Sequence, residues 1–153
     1  MRTSQNGINL IKQFEGCRLK AYKCAAGVPT IGYGHTAGVK MGQTITQVQA
    51  ESYLKDDLMK YETKVMKYYD KYRFNQNEFD ALVSFAYNIG SIDGLTASGS
   101  RSKEEIADKI QAYNKAGGKN VRHRTYTFMI LQNPFFTLSL PHEDSIYCYR
   151  NDF

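Results

Sequence analysis

The sequence predicts an α+β fold: a small N-terminal antiparallel β lobe and a mainly helical C-terminal lobe, joined by a long helix. Three observations carry this. Residues 18–42 hold Gly27, Gly32, Gly34, Gly38, Gly42 and Pro29 between short apolar runs, the punctuation of tight turns between short strands. Ala50, Leu54, Leu58, Tyr61, Val65, Tyr68 and Tyr72 then recur at alternating steps of four and three, the spacing of one buried helix face. Beyond them, two further apolar stretches each open on a capping residue with a glutamate three positions on.

Taken in order, Ile8, Leu10, Ile11 and Phe14 give a helix-compatible apolar face, with Ser4 or Asn6 as its cap. Gly16 ends this helix and leaves Glu15 at its C-terminus, where the helix dipole disfavours negative charge. Short strands are predicted around residues 19–22, 29–33 and 39–41. Thr46 and Gln49 form a capping box for the linking helix, whose stripe runs to Tyr72. Asn75 with Glu78 opens the next helix. Its apolar residues, Phe79, Leu82, Val83, Phe85, Ala86 and Ile89, lie nearly all round it, so it is a central core helix that Gly90 can close. Residues 91–101 are polar and contain glycine, and they read as a surface loop. Ser102 with Glu105 caps a last helix along Ile106, Ala107, Ile110 and Tyr113, ended by Gly117 and Gly118. The remainder changes character: Arg122-His123-Arg124 is basic, residues 125–131 alternate loosely like a strand, and Pro134 and Pro141 break the C-terminal stretch. The division is therefore one domain over 1–153, with about 1–45 as first helix and β lobe, 46–118 as linking helix and helical lobe, and 119–153 as an atypical tail.

At 153 residues and 42% hydrophobic content the chain can bury a real core. No run approaches the roughly 18 apolar residues of a membrane span, and residues 1–13 are too broken to read as a signal peptide. A soluble chain made in the cytoplasm is expected, without stable membrane insertion. Its net charge of +5 favours an anionic partner. A nucleic-acid partner is not expected, because neither a helix-turn-helix pattern nor a dense basic stripe is present. Cys17, Cys24 and Cys148 read as reduced thiols. Without a C-x-x-C pair no metal site is expected.

The chemistry concentrates around Glu15. A glycine-rich turn returns a cysteine, a threonine and a histidine towards this acid, and a carboxyl facing a polar group across a cleft suits acid-assisted cleavage of a glycosidic bond. Glu15, Cys24 and Thr30 read E-x8-C-x5-T. With Phe-Glu-Gly (14–16), Ala-Tyr (21–22), Thr-Ile-Gly-Tyr-Gly-His-Thr (30–36), Gly-Gln-Thr-Ile-Thr (42–46), Ala-Leu-Val-Ser-Phe-Ala-Tyr-Asn-Ile-Gly (81–90) and Tyr-Asn-Lys-Ala-Gly-Gly (113–118), this ordered set resembles the phage-type lysozyme, or endolysin, family of glycoside hydrolases.

The resemblance implies a lysozyme-like fold with a cleft between the two lobes. It also implies hydrolysis of the β-1,4 bond between N-acetylmuramic acid and N-acetylglucosamine in peptidoglycan, without a metal or organic cofactor. Glu15 is then the general acid that protonates the leaving oxygen. Thr30 is either a holder of the attacking water or an ordinary β-branched strand residue. Cys24 occupies a position that is usually Asp in the family. A neutral thiol there activates water poorly and a thiolate can act as base or nucleophile, so an inverting and a retaining outcome both stay open; the other reading of Cys24 is a packed, inert thiol. Asn88 either hydrogen-bonds the sugar acetamido group or caps its helix, and Tyr33 either lines the cleft or packs. His35 is read as structural, paired with Asp57. The tail departs from the family pattern. The implied setting is a monomer held in the host bacterial cytoplasm until a holin-type partner releases it to the wall. The alternative is a catalytically impaired peptidoglycan-binding relic with an altered C-terminus.

Overall fold

A computed structural model describes residues 1–116. The described chain runs α1 (Gln5–Glu15), β1 (Arg18–Lys23), β2 (Pro29–Gly32), α2 (Gln47–Met66), α3 (Tyr69–Tyr72), α4 (Gln76–Ile89), α5 (Asp93–Thr96) and α6 (Lys103–Ala116). It is an α+β arrangement: a small antiparallel sheet packed against the first part of a helical assembly. The readings for Gly117 and Gly118, for strand 125–131 and for the tail 119–153 lie outside the described residues.

Local chemistry sets the helix starts. Ser4 caps α1 by accepting from the Gly7 N–H, and Thr46 and Asn75 each close a reciprocal capping box, with Gln49 and Glu78 respectively. The same exchange occurs at α6, where Glu105 accepts from the Ser102 N–H at 2.7 Å and the Ser102 hydroxyl accepts from the Glu105 N–H at 3.2 Å. Gly90 ends α4 at φ 98°, a left-handed conformation that costs a glycine little. Ala50, Leu54, Leu58, Tyr61 and Val65 form the buried stripe of α2, which packs on α4 and β2, and Phe79, Leu82 and Val83 of α4 are fully buried.

Three expectations are corrected. The third strand is not at 39–41: Gly38 and Gly42 sit at φ 69° and 90°, so this stretch turns twice instead of extending. Pairing resumes at residues 43–45, where the Ala21 N–H donates to the Gln43 carbonyl at 2.8 Å and the Ile45 N–H to that of Leu19 at 2.9 Å. The linking helix stops at Met66 rather than reaching Tyr72. Tyr68 donates its N–H to Val65, three residues back, which tightens the last turn and starts α3 separately. Finally, residues 91–101 are not a surface loop. Ile92, Leu95 and Thr96 are 0%, 1% and 0% exposed, and the Arg101 guanidinium donates to the carbonyls of Gly94 and Leu95.

The N-terminus is fastened to α2 through a buried acid. Glu62 accepts from the Thr3 N–H, the Thr3 hydroxyl and the Arg2 guanidinium, each at 2.8 Å. Burial works to raise its pKa, but the Thr3 and Arg2 donors outweigh it and hold the carboxyl below its ordinary 4.5. A depressed folded pKa gives stability that is present above the unfolded value and lost as pH falls through the folded one. Glu62→Gln is therefore expected to cost about 1–2 kcal/mol at pH 7, discounted for the exposure of Arg2. Urea melts at pH 7 and pH 3 check this: the gap to wild type should narrow at pH 3, and a gap independent of pH would rule the account out.

Candidate active site

Glu15 is the last residue of α1. Gly16 turns the chain outward at φ 63° and donates its N–H to the Lys12 carbonyl, so the half-buried Glu15 side chain sits where helix gives way to strand. The turn after β2 approaches from the other side. Gly34 lies at φ 95°, and a methyl built on it would stand 3.6 Å from both Glu15 Oε2 and the Tyr87 hydroxyl. The end of α1, the glycine turn and α4 thus converge on one carboxyl. Tyr87 is 2% exposed and donates to the Tyr33 carbonyl at 2.7 Å, which ties α4 to that turn.

Cys24 and Thr30 are drawn together by one acceptor. The Val28 carbonyl receives the Cys24 N–H and the Thr30 hydroxyl, both at 3.0 Å. Cys24 begins the hairpin turn and is a half-buried thiol; Thr30 is fully buried on β2. Cys17 is also a thiol, so no disulfide joins it to Cys24.

His35 is held from several sides. Its backbone pairs with Ile31, Nδ1 lies 2.8 Å from Asp57 Oδ2, Nε2 lies 3.0 Å from the Ala37 carbonyl, and the ring stacks on Tyr53 with centroids 4.5 Å apart. Both ring nitrogens face oxygen acceptors. Asp57 is itself 2% exposed and also receives Lys60 at 3.3 Å.

Tyr33 is 5% exposed, and its hydroxyl accepts from Gln47 Nε2 at 2.7 Å. Lys12 reaches over its ring at 5.6 Å and donates to Glu51 at 2.7 Å. That contact raises the Lys12 pKa and lowers that of Glu51. Burial pushes the nearby Cys17 thiol up. Asn88, half-buried in the last turn of α4, donates its amide to the Ser84 carbonyl at 3.0 Å; Gly90, not Asn88, is the helix cap.

In the sequence, Tyr87 and Gly34 belong to the family pattern, with Gly34 also read as turn punctuation, and neither is singled out as a site residue. Their part in the setting of Glu15 depends on contacts across 19 residues of chain for Gly34 and 72 for Tyr87. The one available signal is the position of Tyr87 directly before Asn88.

Among the described residues, no group of three or more His, Cys, Asp or Glu is placed to hold a metal ion, and no helix is long and apolar enough to cross a membrane. A cavity of about 290 Å³ lies away from Glu15, between α4 and α6, against Phe74, Leu82, Ile106 and Ala107.

Comparison with known proteins adds three findings. The family model described as phage lysozyme matches residues 12–125. The endolysin of Lactococcus phage c2 is 48% identical over 124 residues, which cover 78% of this chain and 53% of that protein, so the chain spans about half the length of that relative. Among solved structures, an endolysin from Escherichia coli O157:H7 phage FAHEc1 is similar with a TM-score of 0.74 and 34% identity over 90% of this chain and 98% of that one. The muramidase domain of SpmX from Asticaccaulis excentricus is similar with a TM-score of 0.73 and 28% identity, covering 87% of this chain and 99% of that domain.

Proposed function

This chain belongs to the phage lysozyme family, and from that membership we propose that it hydrolyses the β-1,4 bond between N-acetylmuramic acid and N-acetylglucosamine in bacterial peptidoglycan. The observation that carries the reading is the convergence of α1, the glycine turn and α4 on the Glu15 carboxyl. The similarity to a muramidase domain supports the same bond specificity.

Glu15 protonates the glycosidic oxygen as the bond to C1 breaks, because that oxygen is otherwise a poor leaving group. Water supplies the hydroxyl that ends on C1 and the proton that restores the acid. Cys24 and Thr30 act on the water or nucleophile side. Thr30 orients the approach, and Cys24 acts as a base or nucleophile only as thiolate. Asn88 lies at the end of α4 nearest Tyr87 and would take the sugar acetamido group, with Tyr33 packed beneath the turn and the His35–Asp57 pair bracing it. The chain acts as a monomer without a cofactor. A holin-type partner releases it from the host cytoplasm to the wall.

Clearing of purified peptidoglycan, with reducing ends counted and the product anomer read by NMR, tests this. Wild type should release reducing ends. Cys24→Ala should slow release about 10²-fold, and Cys24→Asp should keep or raise it, since a carboxylate is already ionised at neutral pH. A folded wild type that stays on the wall without releasing reducing ends would instead be a binding relic, and the hydrolytic reading would fall.

A further inference from the structure

The β lobe carries a charge asymmetry that hydrolysis does not use. Between Glu15 and Glu51 the sequence has four basic residues, Arg18, Lys20, Lys23 and Lys40, and no Asp or Glu. The whole chain has a net charge of +5, so this stretch accounts for four of those five charges and the rest of the protein is nearly neutral. All four side chains are exposed. Among the described residues none of the four enters an ion pair, whereas Arg2, Lys12, Lys60, Arg73 and Lys103 each do. Two acids near the lobe are already engaged: Glu51 by Lys12, and Asp57 by His35 and Lys60.

The fold gathers these charges. Arg18, Lys20 and Lys23 are on β1, and Arg18 lies over the Tyr22 ring at 4.5 Å, which restricts the guanidinium. Lys20 pairs across to Thr44, and the Gln43 N–H closes a turn on the Lys40 carbonyl at 3.1 Å. Antiparallel pairing therefore brings the Lys40 turn alongside the end of β1 that carries Lys23 and leads into Cys24. Like charges held together without an ion-pair partner among the described residues repel, and an external polyanion relieves that repulsion while releasing its own condensed counterions.

We propose that the basic residues of the β lobe bind the phosphodiester polymers attached to bacterial peptidoglycan, a reading that rests on peptidoglycan being the substrate. A chain of repeating phosphates complements cations spread along a strand and its neighbouring turn. A membrane surface fits less well. The exposed large apolar side chains of this lobe, Leu19, Val28 and Met41, are 38%, 42% and 52% exposed, each about half covered by the lobe, and residues 16–46 contain no helix to lie in a bilayer interface.

The test uses the full chain carrying Glu15→Gln, so that binding is read without hydrolysis. Its affinity is measured for poly(glycerol phosphate), for phosphatidylglycerol vesicles and for single-stranded DNA with the same number of phosphates. Neutralising Arg18, Lys20, Lys23 and Lys40 to Gln should weaken polymer binding by about tenfold or more at low salt and flatten its salt dependence. A control set with Lys55, Lys67, Lys71 and Lys109 changed to Gln, matched at four charges, should stay within about twofold of the parent. Equal loss in the control set would mean net charge alone is responsible and would overturn the proposal. So would tighter binding to vesicles or DNA than to the polymer, or no polymer binding by the parent. Hydrolysis is checked apart from this, by active wild type on peptidoglycan stripped of phosphate polymer. Failure there strikes the enzymatic reading and leaves the polymer affinities to decide this one.

Discussion

Glu15→Gln is expected to lower wall clearing by about 10³-fold with helix content and wall retention unchanged. The amide matches the carboxyl in size and can donate a hydrogen bond, but it cannot transfer a proton to the departing oxygen. Binding to the glycan is largely preserved because the side chain keeps its place beside Gly34 and Tyr87. Glu15→Asp should recover only a small part of the rate. Its carboxyl is withdrawn by one methylene, and a displacement of roughly 1 Å can cost about 10²-fold in a positioned reaction. Initial rates of reducing-end release at saturating wall concentration, with circular dichroism on each variant, make the measurement. If Glu15→Gln keeps activity within about tenfold of wild type, another group supplies the proton and the assignment of Glu15 is wrong.

The largest stability effect is expected at Gly7. This residue lies inside α1, where an added Cβ would stand 2.7 Å from the Asp80 side-chain carboxyl carbon and 2.9 Å from both its Cβ and Oδ2. Real Cβ atoms do not approach so closely, so α1 or Asp80 must move. Asp80 has little freedom to do so. It is 4% exposed and accepts from the Ser4 N–H at 2.9 Å, the Ser4 hydroxyl and Gln76 at 2.8 Å. Ser4 is also the cap of α1. Gly7→Ala therefore strains both the crossing of α1 over α4 and the cap. Overpacking of this kind costs about 3 kcal/mol, and the better helix propensity of alanine returns up to about 1 kcal/mol. The net loss of about 2 kcal/mol corresponds to a fall in Tm of roughly 4–8 °C for a chain of this size. Thermal melts of Gly7→Ala, Asp80→Ala and the double variant separate the causes. The double variant should lose less than the sum of the two single losses, since Asp80→Ala removes the atoms the new methyl meets. A neutral or stabilising Gly7→Ala would show that the helices slide apart freely.

Both predictions depend on residues the sequence presents very differently. Glu15 stands out in the sequence because it ends an amphipathic helix just before a glycine-rich stretch and fits a family pattern. Gly7 does not stand out there, and nothing local explains why a glycine sits in the first turn of α1. The capping boxes at Thr46, Asn75 and Ser102 were legible because each is settled within four residues. The end of α2 was not, because the apolar phase continues through Tyr68 and Tyr72 although the backbone breaks after Met66. The burial of Ile92 and Leu95 was equally illegible, because a four-residue helix is too short to show a period, yet the fold buries them fully.

The same division holds for the site. Legible from chain order alone are the family, the order of helix, β lobe and helices, and the residue types available to act: an acid, a thiol, a hydroxyl and a histidine near a glycine turn. These depend on chain order and local chemistry, which tertiary contacts do not alter. Only the tertiary structure decided which groups meet. The hairpin turn itself hangs Cys24 and Thr30 on the Val28 carbonyl, whereas packing set Tyr87 and Gly34 beside Glu15 and Asp57 against His35 Nδ1. Those outcomes follow from packing α4 and α2 against the β lobe, and packing selects among side chains by distance in space rather than by spacing in sequence.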